Sequence, residues 1–305
     1  MSKKIVSLLL ALLMLFSLAS ALAEDSAVSL TDMFGREITL SQPVTRVVAL
    51  SAAECEILCA LGCEEALVGR GEYCDYPASI LDVPVVQSGA NTNLEEILML
   101  DPQVVIMSDM AQSREQVEAL EQNGVKVVIS NANSLQEVYA SMELIGTLMG
   151  KQAEAQAMIA DMQATFASLA DRCENTGKTV YFEVSPLQWG LWAAGKNTFM
   201  DELASVCGLS NLFADVDGWG AVSEEQVLAR DPDYIVTITM YFGEGPTPVE
   251  EILSRPGWNS LKAVANGGVF QADSDMISRP GPRLKEAALA LAEFIESVEA
   301  AAAAR

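Results

Sequence analysis

Apolar and polar positions repeat one pattern twice along the chain. Asn93 to Ser108 reads NLEEILMLDPQVVIMS and Ser223 to Ile238 reads SEEQVLARDPDYIVTI, and the two align without gaps at an offset of 130 residues. Glu95 falls on Glu225, Leu98 on Leu228, and Asp101-Pro102 on Asp231-Pro232. In each copy, apolar positions at i, i+3 and i+4 predict a short helix. It stops before Asp-Pro, because proline disfavours helix in the residue before it. The apolar and β-branched runs that follow, VVIM and YIVTIT, predict a buried strand in each copy.

The flanks repeat more loosely. Arg46 to Ser51 predicts a strand that leads to a helix from Glu54 to Leu61, ended by Gly62. Lys178 to Ser185 predicts a strand whose loop, GLWAAGKN (Gly190 to Asn197), leads to a helix from Thr198 to Cys207, ended by Gly208. Further strands are predicted at Val125 to Ser130 and Gly268 to Ala272. Strands alternating with helices imply an α/β fold with a parallel sheet in each half. From Leu135 to Cys173 nearly every residue is a good helix former, and Lys151 to Arg172 holds no glycine or proline. At ~1.5 Å per residue, that second stretch would span about 33 Å as one helix. The expected organisation is a lobe over residues 24–142, a long linking helix over 143–174, and a second similar lobe over 175–305. Ligands of open parallel sheets sit beyond the strands' carboxyl ends, so a ligand cleft between the lobes is expected.

The N-terminus changes where this fold must work. Lys3 and Lys4 precede an apolar run from Ile5 to Leu18 and a small-x-small site at Ala21-Leu22-Ala23. That pattern predicts a cleaved secretion signal, too short to span a bilayer as an anchor. No cysteine follows the cut, so no lipid anchor is indicated on the periplasmic or extracellular face. The signal holds two of the 18 basic residues and none of the 42 acidic ones, so cleavage after Ala23 leaves a net charge of −26. A surface this acidic repels nucleic acid and anionic lipid.

The chain has no histidine. This excludes Ser-His-Asp and Cys-His nucleophile activation and histidine ligands to zinc or haem iron. No paired-carboxylate motif, G-x-S-x-G elbow or metal-ligand cluster stands in their place, which argues against an exported enzyme on the same bilobal fold. Six cysteines remain, and export permits disulfides among any of 15 full pairings. Cys55, Cys59 and Cys63 recur every fourth residue on one helical face. They read as small apolar residues of a buried face, since CxxC spacing is absent.

GLWAAGKN falls one letter short of the phosphate loop G-x-x-x-x-G-K-[ST], with Asn197 where the Mg²⁺-binding hydroxyl belongs. Outside the cytoplasm ATP is scarce, so the glycines are expected to serve a tight turn that presents Trp192. Tyr73, Tyr76, Trp189, Trp192, Trp219 and Tyr241 all fall in or near loops that follow predicted strands, as does the segment beginning at Ser108. They account for six of the ten Trp and Tyr residues, which favours a bulky or planar ligand. Asp275 and Arg279 offer polar anchors, or pair with one another, in a segment that Pro280 and Pro282 would hold extended. Glu95 and Glu225 suit the first turn of their helices through the helix dipole alone. They also form two equivalent acidic knobs, able to dock a two-fold partner through arginines.

The order and spacing of GEYCDYP, NLEEILMLDPQVVI, VSEEQVLARDPDYIV and SRPGPR resemble the helical-backbone substrate-binding proteins of ABC importers for ferric siderophores, haem and cobalamin. The similarity runs from Thr31 to the last helix and is greatest to the cobalamin-binding branch. The resemblance implies a non-enzymatic carrier, monomeric, that delivers a metal chelate to a permease dimer with its ATPase. It carries no resident cofactor or metal. By the same resemblance, Glu95 and Glu225 meet permease arginines. Tyr73 or Tyr76, Trp192 and Trp219 match the ligand aromatics, and Asp275 with Arg279 matches the polar pair. Gly89 and Ser108 stand where cobalamin binders of this kind can carry tryptophans. A corrinoid, nearly charge-balanced, ranks first, because the basic residues on offer are mainly Arg279, with Arg70 and Lys196. A ferric siderophore ranks second and haem third. A ligand sensor on the same fold is a further alternative.

Overall fold

The computed structural model describes residues 28–108, 113–240 and 243–304. The signal segment and Tyr241 lie outside the described residues. The chain divides into two compact units. One runs to Ser130 and adds Glu143–Ala155; the other takes Asn131–Met142 and everything from Gln156 onward.

In the first unit, β1 (Val28–Thr31) and β2 (Glu37–Leu40) form an antiparallel ribbon. The chain then alternates through β3 (Val47–Ala49), α1 (Ala52–Ala60), β4 (Leu67–Gly71), β5 (Val85–Val86), α2 (Leu94–Met99), β6 (Val104–Met107), α3 (Arg114–Gln122) and β7 (Lys126–Ile129). The five strands from β3 to β7 are parallel in the order β5-β4-β3-β6-β7. Every residue of β6 is buried, as expected of a strand covered on both faces. Val48, Val105, Val127, Ile97 and Leu120 form the core on one face. Strand order reverses at β3, so the carboxyl ends of β3 and β6 mark the switch point where such sheets bind ligands.

The helical stretch that follows is two helices, α4 (Leu135–Leu148) and α5 (Gln152–Arg172), rather than one helix over 143–174. Gly150 takes a left-handed φ of 68° between them. This is a common helix stop, and the good helix formers on either side do not override it.

The second unit contains β8 (Thr179–Ser185), β9 (Trp192–Ala194), α6 (Phe199–Val206), β10 (Ser210–Asn211), β11 (Trp219–Ala221), α7 (Glu224–Arg230), β12 (Tyr234–Thr237), α8 (Pro248–Ser254), α9 (Lys262–Asn266), β13 (Val269–Gln271), α10 (Ser274–Ser278) and α11 (Leu284–Ala303). Strands β10, β8, β12 and β13 pair in parallel. The sheet is nevertheless mixed, because β9 and β11 join antiparallel at its edge. The parallel-only expectation fails here for a local reason. Pro186–Gly190 is too short for a crossover, so the chain after β8 must return antiparallel. The stretch expected as a loop is therefore partly strand. Its Gly195 lies where a Cβ would stand 2.2 Å from the Val216 carbonyl oxygen, so the close approach of the two chains excludes any side chain.

The sequence repeat is carried into geometry. Asn93 accepts from the Glu96 amide and Ser223 from the Gln226 amide, so both copies are capped at the same position. Asp101 and Asp231 both adopt a left-handed conformation, at φ 47° and 48°. Strands β6 and β12 begin three residues after each aspartate.

One buried ion pair organises the second unit. Arg255 donates to Glu183 at 2.6 and 3.0 Å and lies 4.3 Å from the centre of the Trp258 ring. The Trp258 indole donates to Glu224 at 2.9 Å, which ties α7 to the same cluster. Burial pushes the Glu183 carboxyl above its usual range, although Arg255 pulls it back. Burial alone would lower the Arg255 guanidinium, but hydrogen bonds to Glu183 and Glu251 more than offset this and hold it charged.

Candidate functional site

In the first unit, Tyr73 and Tyr76 follow the carboxyl end of β4, and both are exposed, Tyr73 at 72%. Their loop is held from within. Arg70, 7% exposed, donates to the carbonyls of Cys74 (2.8 Å) and Leu81 (3.0 Å). A guanidinium suits this task because its fixed fork satisfies two carbonyls at once. Arg70 is thus not available to a ligand, and the expectation that it adds positive charge to the site is corrected. The signal for its role was a lone arginine in the otherwise uncharged strand LVGRG. Glu54, at the start of α1, is also buried; desolvation raises its carboxyl against hydrogen bonds from Ser51 and Ser130. Ser108 directly follows β6 and borders a cavity of about 460 Å³ with Phe34, Arg36 and Val117.

The second unit gathers three tryptophans along its antiparallel edge. Trp189 ends a short 3₁₀ turn and is 74% exposed. Trp192 pairs with Ala221 and Trp219 with Ala194 in the β9–β11 ladder. Opposite residues share a face in such a ladder, and so do residues two apart, so Trp192 and Trp219 are diagonal neighbours on one face. Both remain exposed, while Trp219 leans edge-on against buried Phe199 with ring centres 5.6 Å apart. Beyond the far end of this ladder Asn197, at φ 63°, donates to Asp217 at 2.8 Å. Asparagine tolerates the left-handed conformation better than serine or threonine does. This accounts for the letter that broke the phosphate-loop pattern.

Asp275 and Arg279 pair with each other at 2.8 Å, and only 11% of the Arg279 side chain is exposed. The extended segment expected here is in part helix α10, capped by Asp273, which accepts from the amides of Asp275 and Met276. The prolines act only after Arg279. Glu95 and Glu225 are exposed in the first turns of α2 and α7. The Ser223 hydroxyl and the helix backbone hold the Glu225 carboxyl below its usual range. Among the described residues no group of three or more Cys, Asp and Glu is placed to hold a metal ion. No helix of the described residues is long and apolar enough to cross a membrane.

Residues 47–276 match the family model described as Periplasmic binding protein, a span that reaches into both units and includes both repeat copies. The chain belongs to the periplasmic binding protein family. It is 31% identical over 286 residues to an uncharacterised ABC transporter substrate-binding lipoprotein of Bacillus subtilis, covering 92% of this chain and 88% of that protein. It is 28% identical over 270 residues to the vitamin B12-binding protein of Vibrio parahaemolyticus, covering 88% and 95%. Among solved structures, a possible iron-binding periplasmic solute-binding protein of Staphylococcus epidermidis matches with a TM-score of 0.71 and 28% identity, over 82% of this chain and 98% of that one.

As a periplasmic binding protein, the chain devotes its exposed aromatics to strand ends and edges rather than to its cores. Of the residues that hold those aromatics in place, Arg70 alone leaves a mark in the sequence, as the single charge in LVGRG. The contacts themselves, from Arg70 to the carbonyls of Cys74 and Leu81 and from Gly195 to the Val216 backbone, are set by how the loops fold back, which periodicity does not report.

Proposed function

We propose that this chain is the extracytoplasmic substrate-binding component of an ABC importer, and that its ligand is a corrinoid. The exposed tryptophan edge of Trp189, Trp192 and Trp219 carries the reading. A corrinoid is large and nearly charge-balanced, so aromatic faces with few charges suit it. Tyr73, Tyr76, Tyr241 and Ser108 are the further ligand contacts of this reading. Charge supports the ranking. A tri-anionic chelate needs several free cations, whereas Arg70 is spent on loop carbonyls and Arg279 is paired with Asp275. Asp275 and Arg279 then serve as a near-neutral polar pair for hydrogen bonding. The vitamin B12-binding relative favours the same class. The iron-binding neighbour keeps a ferric siderophore as the second reading, ahead of haem, for which the chain offers no histidine. The protein is a carrier with no reaction of its own, and it acts as a monomer.

Calorimetric titration of the purified chain with cyanocobalamin, a ferric hydroxamate and haemin separates these readings. One-to-one binding of cyanocobalamin at about 1 µM or tighter is expected, equivalent to about −8 kcal/mol. Binding of the ferric hydroxamate alone would transfer the assignment to the second reading, and silence with all three would remove the chelate class.

The permease is met by Glu95 and Glu225, one on each unit, through arginines of its two subunits. Glu95→Arg and Glu225→Arg are each expected to lower ligand uptake by cells at least about tenfold, since each turns a charge-assisted pair into a repulsion. Cyanocobalamin affinity should stay unchanged. A loss of affinity in either variant would reassign that glutamate to the ligand site.

A further inference from the structure

The loop that carries Tyr73 and Tyr76 is fixed beneath its surface by more than Arg70. Cys74 lies between the two tyrosines in sequence, yet its side chain is 1% exposed. Cys55, on α1, is fully buried. Both sulfurs converge on one acceptor, the Ala49 carbonyl oxygen, at 3.7 Å from Cys55 Sγ and 3.8 Å from Cys74 Sγ. The two thiols are also within hydrogen-bonding reach of each other. The other cysteines do not share this arrangement. Cys63 Sγ turns to the Leu61 carbonyl, Cys59 is only half-buried, and Cys173 and Cys207 belong to the second unit.

We propose that Cys55 and Cys74 are joined by a disulfide in the exported protein, tying the tyrosine loop covalently to α1. The inference rests on the extracytoplasmic reading, since such bonds persist in oxidising compartments. The oxidant is the disulfide of a thiol oxidoreductase. One cysteine thiolate attacks that disulfide, forming a mixed disulfide and releasing one oxidant thiolate. The second cysteine thiolate then attacks the protein sulfur and displaces the other. Two protein thiols are oxidised, the oxidant's disulfide is reduced to two thiols, and the two protons pass to solvent and the released thiolates. Burial sets the timing. The mutual hydrogen bond and desolvation push the Cys55 thiol well up, so it attacks slowly once the core has closed. The bond therefore forms while the loop is still docking, and afterwards the same burial shields it from solution thiols. Of the 15 full pairings that composition allows, only those containing Cys55–Cys74 survive.

Trypsin cleaves after Arg70, so Cys55 and Cys74 fall in separate peptides unless sulfur joins them. Protein taken from the extracytoplasmic fraction, blocked with iodoacetamide under denaturing conditions and digested without reductant, is expected to yield the joined peptides. Reduction should abolish them. The link should survive Cys59→Ser with Cys63→Ser and disappear in Cys55→Ser. In parallel, the full chain is refolded with oxidised and reduced glutathione, which tests the geometry independently of compartment. Finding both residues alkylated in exported protein and unlinked after refolding overturns the proposal. A link formed only on refolding, with the cellular chain recovered from the cytoplasm, overturns the export reading and the in-cell bond with it while the geometric pairing stands.

Discussion

Alanine at both Trp192 and Trp219 is expected to weaken cyanocobalamin binding about a thousandfold, measured by calorimetry on the purified chain. Each indole is a rigid surface already ordered by the β9–β11 ladder, so little entropy is lost when a ligand covers it. Truncating an anchor of this kind costs about 2 kcal/mol, or roughly thirtyfold, and two such losses multiply if the sites act independently. Their diagonal placement makes them neighbours, so a double-mutant cycle should show coupling on the order of 0.5 kcal/mol or more. The single variants are expected to be unequal. Trp219 also packs edge-on against Phe199, so its loss disturbs the start of α6 as well as the ligand surface. Circular dichroism should show both variants folded. Affinity unchanged within threefold in the double variant would remove the tryptophan edge from the ligand site.

Arg255→Met is expected to lower unfolding stability by about 3–5 kcal/mol, read from a urea midpoint at pH 7. The loss comes from Glu183 more than from Arg255 itself. Glu183 is 1% exposed, and without its partner it is left as a buried carboxylate with Glu251 nearby. Burial already raises this carboxyl, and removal of Arg255 removes the main opposing influence. A carboxyl whose folded pKa lies above its unfolded value favours the folded state when protonated, and that contribution is lost as pH rises. The deficit of the variant should therefore shrink on going from pH 7 towards pH 4.5. A deficit that stays constant with pH would place the loss in packing against Trp258 rather than in the unpaired charge.

Much of the fold was legible because it is written locally. The 130-residue repeat predicted in each copy a short helix that stops before Asp-Pro and a buried strand after it, and the structure has both, with caps at Asn93 and Ser223 and left-handed aspartates at Asp101 and Asp231. Each depends on interactions within about four residues, which the order of side chains sets directly. The failures also have local causes. The stop at Gly150 outweighed good helix formers around it, and the short Pro186–Gly190 turn forced β9 to run antiparallel. Both are present in the sequence, as a glycine and as a loop length, and each acts more strongly than helix propensity or the analogy between halves.

What the sequence determined by itself is the class of chain: an α/β pattern in two related halves, no histidine chemistry, an acidic surface and an excess of aromatics after strands. Composition and short-range periodicity are enough for these, since they follow from which side chains exist and how they recur. Only the tertiary structure decided which charges are available and which are used internally. Arg70, Arg279 and Arg255 look alike as letters. The first is committed to carbonyls up to 11 residues away and the third to Glu183, 72 residues away, whereas the second pairs with Asp275 one helical turn back, an alternative the sequence already offered. The same holds for Cys55 and Cys74, brought to one carbonyl oxygen, and for the two tryptophans set side by side by strand register. A partner distant in sequence is chosen by how sheets and helices pack, and no period along the chain encodes it.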